Sequence, residues 1–240
     1  ADVYRVSGLV GHPNLFSTYL AMLLSMFIAG LFADHQPGKR LWLSALVLAG
    51  LVALLLTLSR TGWADFAAGM VVVLGFLYFH PAQRQRLTRL RLGLMIGLGV
   101  AVAYATPVIL RRLLASEPGA LDSRYEMMGV AWRMVQAEPV FGFGLNSFSY
   151  QMFDYAPYSV GRMIEIYGEV PTVVHNIYML VWAEQGTLGL LLFLGMNAHL
   201  LWMAWRTTRR SASHLILTVN IDALAAMVAV MIDGLGSFYM

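Results

Sequence analysis

Two stretches of this chain, Leu41–Leu58 and Leu92–Leu110, each run for about the length of a bilayer-crossing helix without a single charge. A surface helix of a soluble domain keeps one polar face, so runs like these do not belong to one. Inside a bilayer every backbone N–H and C=O must be satisfied within the chain, which leaves helices or a closed barrel. Barrel strands need only about 10 residues each, so the lengths select helices. Composition agrees. Charged residues make up 12% of the chain and hydrophobic residues 59%, where a soluble domain carries about 25% charged residues. The expected fold class is an all-α polytopic membrane protein.

Four more apolar runs of similar length complete a set of six. The first is Asn14–Ala33, which follows His12-Pro13, with proline where a helix start tolerates it. The third, Gly62–Phe79, contains Asp65, and the sixth, Leu215–Ile232, contains Asp222. The fifth runs from Asn176 to about Trp205, long enough to tilt or protrude. Between the fourth and fifth lies one long polar segment, residues 111–174. Residues 1–240 therefore read as one membrane domain with one large loop. The start at Ala1-Asp2-Val3 and the polar tail before Met240 read as the ends of a piece of a longer protein. The start also lacks the basic-then-apolar order of a signal peptide.

Arginine placement sets an expected orientation. Arg84, Arg86, Arg89 and Arg91 crowd one loop and Arg206, Arg209 and Arg210 another, both without acids, and Lys39 and Arg40 stand in a third. Six spans put these three loops on one side, which the positive-inside rule makes cytoplasmic. The other side receives both termini, the Ser59-Arg60-Thr61 hairpin and the long segment, whose five arginines face seven acids.

Within the long segment, Tyr125, Met128, Trp132 and Val135 recur at helical spacing, so Leu121–Gln136 is expected to be an amphipathic helix. Asp122 or Ser123 can cap it, and Glu138-Pro139 closes it. Phe141–Asn146 reads as a glycine-rich turn, and Tyr150–Pro171 as an irregular loop whose aromatics suit a membrane interface or a sugar. Asn176 is expected to cap the fifth span. Gly93 and Gly97 have the spacing of a helix-packing pair.

Several polar residues stand where chemistry could occur. His175 sits where a water-facing loop meets the membrane, and imidazole titrates near neutrality. Its plainer reading is an interface histidine at the head of a helix. Arg60 lies at the external membrane face, where it either snorkels to headgroups or grips phosphate through its two-pronged guanidinium. Arg124 lies on the same side, either as a surface charge or as a second phosphate contact, with Arg5 and Arg133 as lesser candidates. Asp65, about one turn from Arg60, is expected to pair with it. Asp65, Glu184 and Asp222 together could instead form the ion path of a transporter, but neither internal repeats nor broken helices are visible. The chain has no cysteine, so disulfides and thiolate sites are excluded. No Asp-x-Asp pair, phosphate-binding Gly-Lys loop or Gly-x-Ser-x-Gly is present.

Four groups of residues carry a resemblance. They are Gly11-His-Pro-Asn14, Leu58-Ser-Arg60-Thr-Gly62, the series Arg124, Trp132, Pro139 and Gly142-Phe-Gly144, and finally His175-Asn176 followed after nine residues by Gly186-Thr-Leu-Gly189. In this order they resemble the O-antigen ligase and O-antigen polymerase superfamily. The resemblance implies further N-terminal spans and a metal-independent, inverting glycosyltransferase without cofactors in the inner membrane, facing the periplasm. Its donor would be a glycan on undecaprenyl pyrophosphate. Its acceptor would be lipid A-core for a ligase or a growing glycan for a polymerase. Membrane lipids would surround it, and no nucleic acid is implied. Pyrophosphate is already a good leaving group. The chemistry then needs charge stabilisation, which Arg60 and Arg124 can give, and a base for the acceptor hydroxyl, which His175 can be. Asn176, Arg5 and Arg133 are expected at the substrate.

Overall fold

A computed structural model describes residues 5–31, 37–79, 120–156, 174–210 and 213–236. All regular structure among them is helical: a short 3-10 turn at Gly8–Val10, then α1 (Pro13–Leu31), α2 (Pro37–Leu56), α3 (Arg60–Phe79), α4 (Ala120–Ala137), α5 (Phe148–Tyr155), α6 (Ile177–Arg210) and α7 (His214–Asp233). Four of these are long and apolar enough to cross a membrane: α1, α2, α6 and α7. The all-α membrane class is thus what the chain adopts. The third expected span is present as α3, with the right length, though it is not one of those four. The fourth expected span, with Gly93 and Gly97, lies outside the described residues, as does the arginine-rich loop at 80–91.

The chain divides into two compact units, residues 1–116 with 201–233, and residues 117–200 with 234–240. In the first, α1 packs against α2, α3 and α7, and α3 packs against α7. Small residues make this approach possible. A Cβ added at Gly62 would run into Ser17, and one at Gly69 would lie 2.7 Å from Ser25 Oγ. Helices in lipid gain little from apolar burial against one another, so close backbone approach supplies the attraction. Leu24, Ile28, Val73, Ile221 and Ala225 fill the space between them.

The second unit has an apolar core of its own. Met127, Val130, Ala131 and Met134 line one face of α4 and meet Phe148 and Met152 of α5, with Val174, Leu180 and Ala183. Each of the Val, Leu, Met and Phe side chains among them contributes about 1.5–3 kcal/mol on burial. Three expectations change here. Tyr125 and Trp132 are exposed, so the buried stripe is not the one expected. Apolar residues cover more than half of this helix, so spacing alone could not select the face. The helix begins by Ala120, which puts Asp122 and Ser123 inside its first turn rather than at its cap. Part of the expected irregular loop is ordered as α5, while 157–173 lie outside the described residues.

Helix α6 is not continuous. Gly186 has φ 66° and ψ −173°, a conformation open in practice only to glycine, and it breaks the helix. The expectation of no broken helices is therefore corrected. The break is closed by partners rather than left open, as the next section describes.

Candidate functional site

The chemistry-bearing residues fall in two places, one in each unit. The first surrounds the start of α3. The hairpin has the expected three residues but sits two positions earlier, at 57–59, so Ser59 caps α3 and Arg60 is its first residue. Ser59 Oγ accepts the Gly62 N–H at 3.2 Å, which is ordinary N-capping geometry. The chain enters this cap through Leu58 at φ 51° and through Thr57, whose hydroxyl accepts the Ser59 N–H at 3.3 Å. A cation in the first turn opposes the helix dipole. Arg60 is thus a residue that helix stability does not favour, and an anion brought to it would meet guanidinium and helix terminus together.

Arg5 ties this turn to the start of α1. Its Nε donates to the Thr57 carbonyl at 3.0 Å and its Nη2 to Asn14 Oδ1 at 2.6 Å. One guanidinium therefore joins Asn14, of the first group of resemblance residues, to Thr57, the residue just before the second group. His12 lies beside it. Partial burial first, and the Arg5 charge second, hold the His12 imidazole below its usual pKa. The expected pair between Arg60 and Asp65 is not formed. Asp65 is buried and faces Thr18, whose Oγ1 lies 3.3 Å from its Oδ2, and Asp233. Five residues along a helix is about 140° around it, so Arg60 and Asp65 leave opposite sides.

The second place is built around the α6 break. Its freed groups bond to the turn that follows α4. Phe143 N–H donates to the Ala183 carbonyl at 3.3 Å and Gly144 N–H to the Glu184 carbonyl at 2.7 Å. In return Thr187 N–H donates to the Pro139 carbonyl at 2.8 Å and Leu188 N–H to the Val140 carbonyl at 3.3 Å. Contact is so close that a Cβ at Gly142 would lie 2.5 Å from the Glu184 carbonyl, and one at Gly186 would overlap the Val140 backbone. The buried Glu184 carboxylate accepts the Asn146 and Phe148 N–H groups, both at 2.9 Å, and so caps α5. Sequence reasoning missed this role. The only signal was a buried acid two residues before a glycine. It also gives Glu184 a partner that an ion path would not require.

His175 stands exposed on a bend between two buried neighbours, Val174 and Asn176. Asn176 caps α6 as expected, its Oδ1 accepting the Met179 N–H at 3.0 Å. Its Nδ2 donates to the Leu235 carbonyl at 3.2 Å, and the Ile177 N–H donates to the Gly234 carbonyl at 2.8 Å. The amide of Asn176 is thus engaged at both ends, and the backbone on which His175 rides is fixed. Arg124 is half-buried on α4, and among the described residues it has no hydrogen bond or ion pair. Arg133 is committed instead, with Nε donating to the Tyr155 carbonyl at 2.7 Å at the end of α5. Among the described residues no three His, Asp or Glu gather into a metal-ligand cluster. Arg60 belongs to the first unit, and Arg124 and His175 to the second.

An all-helical chain with four helices of membrane-crossing length and hydropathy among the described residues defines a multi-pass membrane protein. A protein-family model described as O-Antigen ligase matches residues 43–194, so the chain belongs to the O-antigen ligase family. The match takes in the Arg60 turn, the glycine turn, His175 and the α6 break, and leaves out Arg5 and Asn14. No curated protein matches the chain. Membership gives the coarse activity: a bacterial membrane enzyme of glycosyltransferase type, ligase or polymerase, acting on a lipid-linked glycan and an acceptor in lipopolysaccharide biosynthesis.

Proposed function

We propose that this protein ligates a glycan from undecaprenyl pyrophosphate onto a sugar of lipid A-core at the periplasmic face of the inner membrane. The observation that carries the reading is His175, exposed on a backbone that Asn176 fixes from both ends of its amide. A general base needs access to the acceptor hydroxyl and a held position, and this residue has both. The match of His175-Asn176 and Gly186-Thr-Leu-Gly189 to the ligase pattern favours ligation over polymerisation.

In this reading Arg60 and Arg124 stabilise the pyrophosphate as its charge grows, and no metal is required. Departure of undecaprenyl pyrophosphate accompanies attack by the acceptor oxygen on the anomeric carbon, and His175 takes the hydroxyl proton. Direct attack inverts that carbon. Asn176 acts as a positioning residue for His175, Arg133 as a brace for α5, and Arg5 as the residue that sets the Arg60 turn. A deletion strain tests ligase against polymerase. Ligase loss leaves long chains on undecaprenyl pyrophosphate and bare lipid A-core, whereas polymerase loss leaves single repeat units on the core. With purified full-length protein, His175→Ala should bind donor normally and lose transfer by about 10²–10⁴-fold. Near-normal turnover of that variant would remove histidine from the mechanism.

A further inference from the structure

The turn between α4 and α5 exposes side chains that a turn in water does not usually show. Val140, Phe141 and Leu145 are 55%, 72% and 77% exposed. The backbone of this turn is bonded to residues 183–188 of α6, so its position along that helix is fixed.

Where that position falls relative to a bilayer follows from the length of α6. Its 34 residues would extend about 51 Å if straight, against about 30 Å of hydrocarbon. One end is marked. The Arg206 guanidinium lies 5.1 Å from the Trp202 ring and that of Arg209 4.3 Å from the Trp205 ring, and aromatic rings with basic residues characterise a membrane interface. About 20 residues back from Trp205, the thickness of the hydrocarbon, the helix reaches Gly186. Residues before and after the break agree with this count. Leu180 and Ala183 lie in the core with Met127, Met134 and Phe148, and Glu184 is buried against backbone amides. Beyond the break, Leu188, Leu191, Leu192 and Met196 are exposed, as lipid-facing residues are. By this count the break in α6 falls at the edge of the hydrocarbon.

We infer that the turn at 139–145 is a lipid-binding wedge. It lies at a membrane surface, with Val140, Phe141 and Leu145 in the boundary between headgroups and acyl chains. Apolar side chains at such a boundary reach about 5–10 Å below the headgroups. Because the turn is bonded across the α6 break, the wedge holds the start of that helix, and His175 before it, at a set height above the lipid.

The absence of cysteine makes the test direct. Single-cysteine variants Phe141→Cys, Leu145→Cys and, as a control, Glu138→Cys are labelled with an environment-sensitive fluorophore. The full chain is then placed in phosphatidylcholine nanodiscs with and without brominated acyl chains. Probes at 141 and 145 should emit to the blue of the probe at 138 and be quenched severalfold more strongly by brominated lipid. Emission and quenching equal to those at 138 would overturn the wedge. A blue shift without quenching by brominated lipid would place these residues against protein and overturn it equally.

Discussion

The turn before α3 and the turn before α5 both carry resemblance residues, yet they are held by different means. Side chains hold the first: Ser59 caps the helix, Thr57 supports Ser59, and Arg5 binds Thr57 and Asn14. Backbone holds most of the second: carbonyls and amides of 139–144 replace those that α6 loses at Gly186, joined by the Glu184 carboxylate and by the Thr187 hydroxyl, which donates to the Pro139 carbonyl at 2.7 Å. A side-chain network can lose one member and keep its shape. A backbone lock with glycines at van der Waals limits cannot, because any Cβ displaces main chain rather than a movable side chain. The first arrangement suits a place where a charged group must be presented, since each side chain can be tuned separately. The second suits a joint that must keep two segments in fixed register.

The largest effect should come from breaking the lock. Gly186→Ala places a Cβ against the Val140 backbone in a conformation that only glycine adopts readily. The backbone conformation alone costs about 1–3 kcal/mol, and the overlap adds to it. Thermal unfolding in nanodiscs should show a large drop, and a variant as stable as the parent would show that the turn can shift away and is no lock.

A smaller effect is expected in the first turn. Ser59→Ala removes the cap of α3, worth about 1 kcal/mol, while Arg5 and Thr57 still hold the chain. The variant should fold and keep measurable transfer activity, and Ser59→Asp should restore stability because aspartate caps equally well. If Ser59→Ala proved as damaging as Gly186→Ala, the contrast between the two turns would be lost.

The smallest effect concerns acid. His12 has its pKa held below the ordinary value, by burial first and by Arg5 second. The unfolded chain therefore binds the proton more readily than the folded one, and stability rises with pH across that interval. The contribution of His12 is complete above about pH 6.5 and declines as pH falls below it. Comparing thermal midpoints at about pH 7.5 and pH 5.5, the parent should lose more than His12→Gln. An equal loss would show that His12 is not a source of the dependence.

Much of this was legible in the sequence, and the reason is locality. Helix lengths follow from uninterrupted apolar runs, the Asn176 cap from one residue type before such a run, and the turn at 141–146 from its glycines. Each rests on neighbours a few residues apart. His175, Arg60 and Arg124 were equally visible as candidates, because polar residues are rare in such a chain. What the sequence could not decide were choices among distant partners. Spacing allowed two faces of α4, and only the fit of Met127 and Met134 against Phe148 and Met152 selected one. Asp65 had Arg60 nearby in sequence, but helix geometry turned it toward Thr18 and Asp233. Gly186 lay inside one uninterrupted expected span, and only the turn at 139–144, brought beside it, bonds the groups that its break leaves free. A broken helix is costly alone and stable only when those groups are satisfied, so tertiary packing, not local preference, made the break.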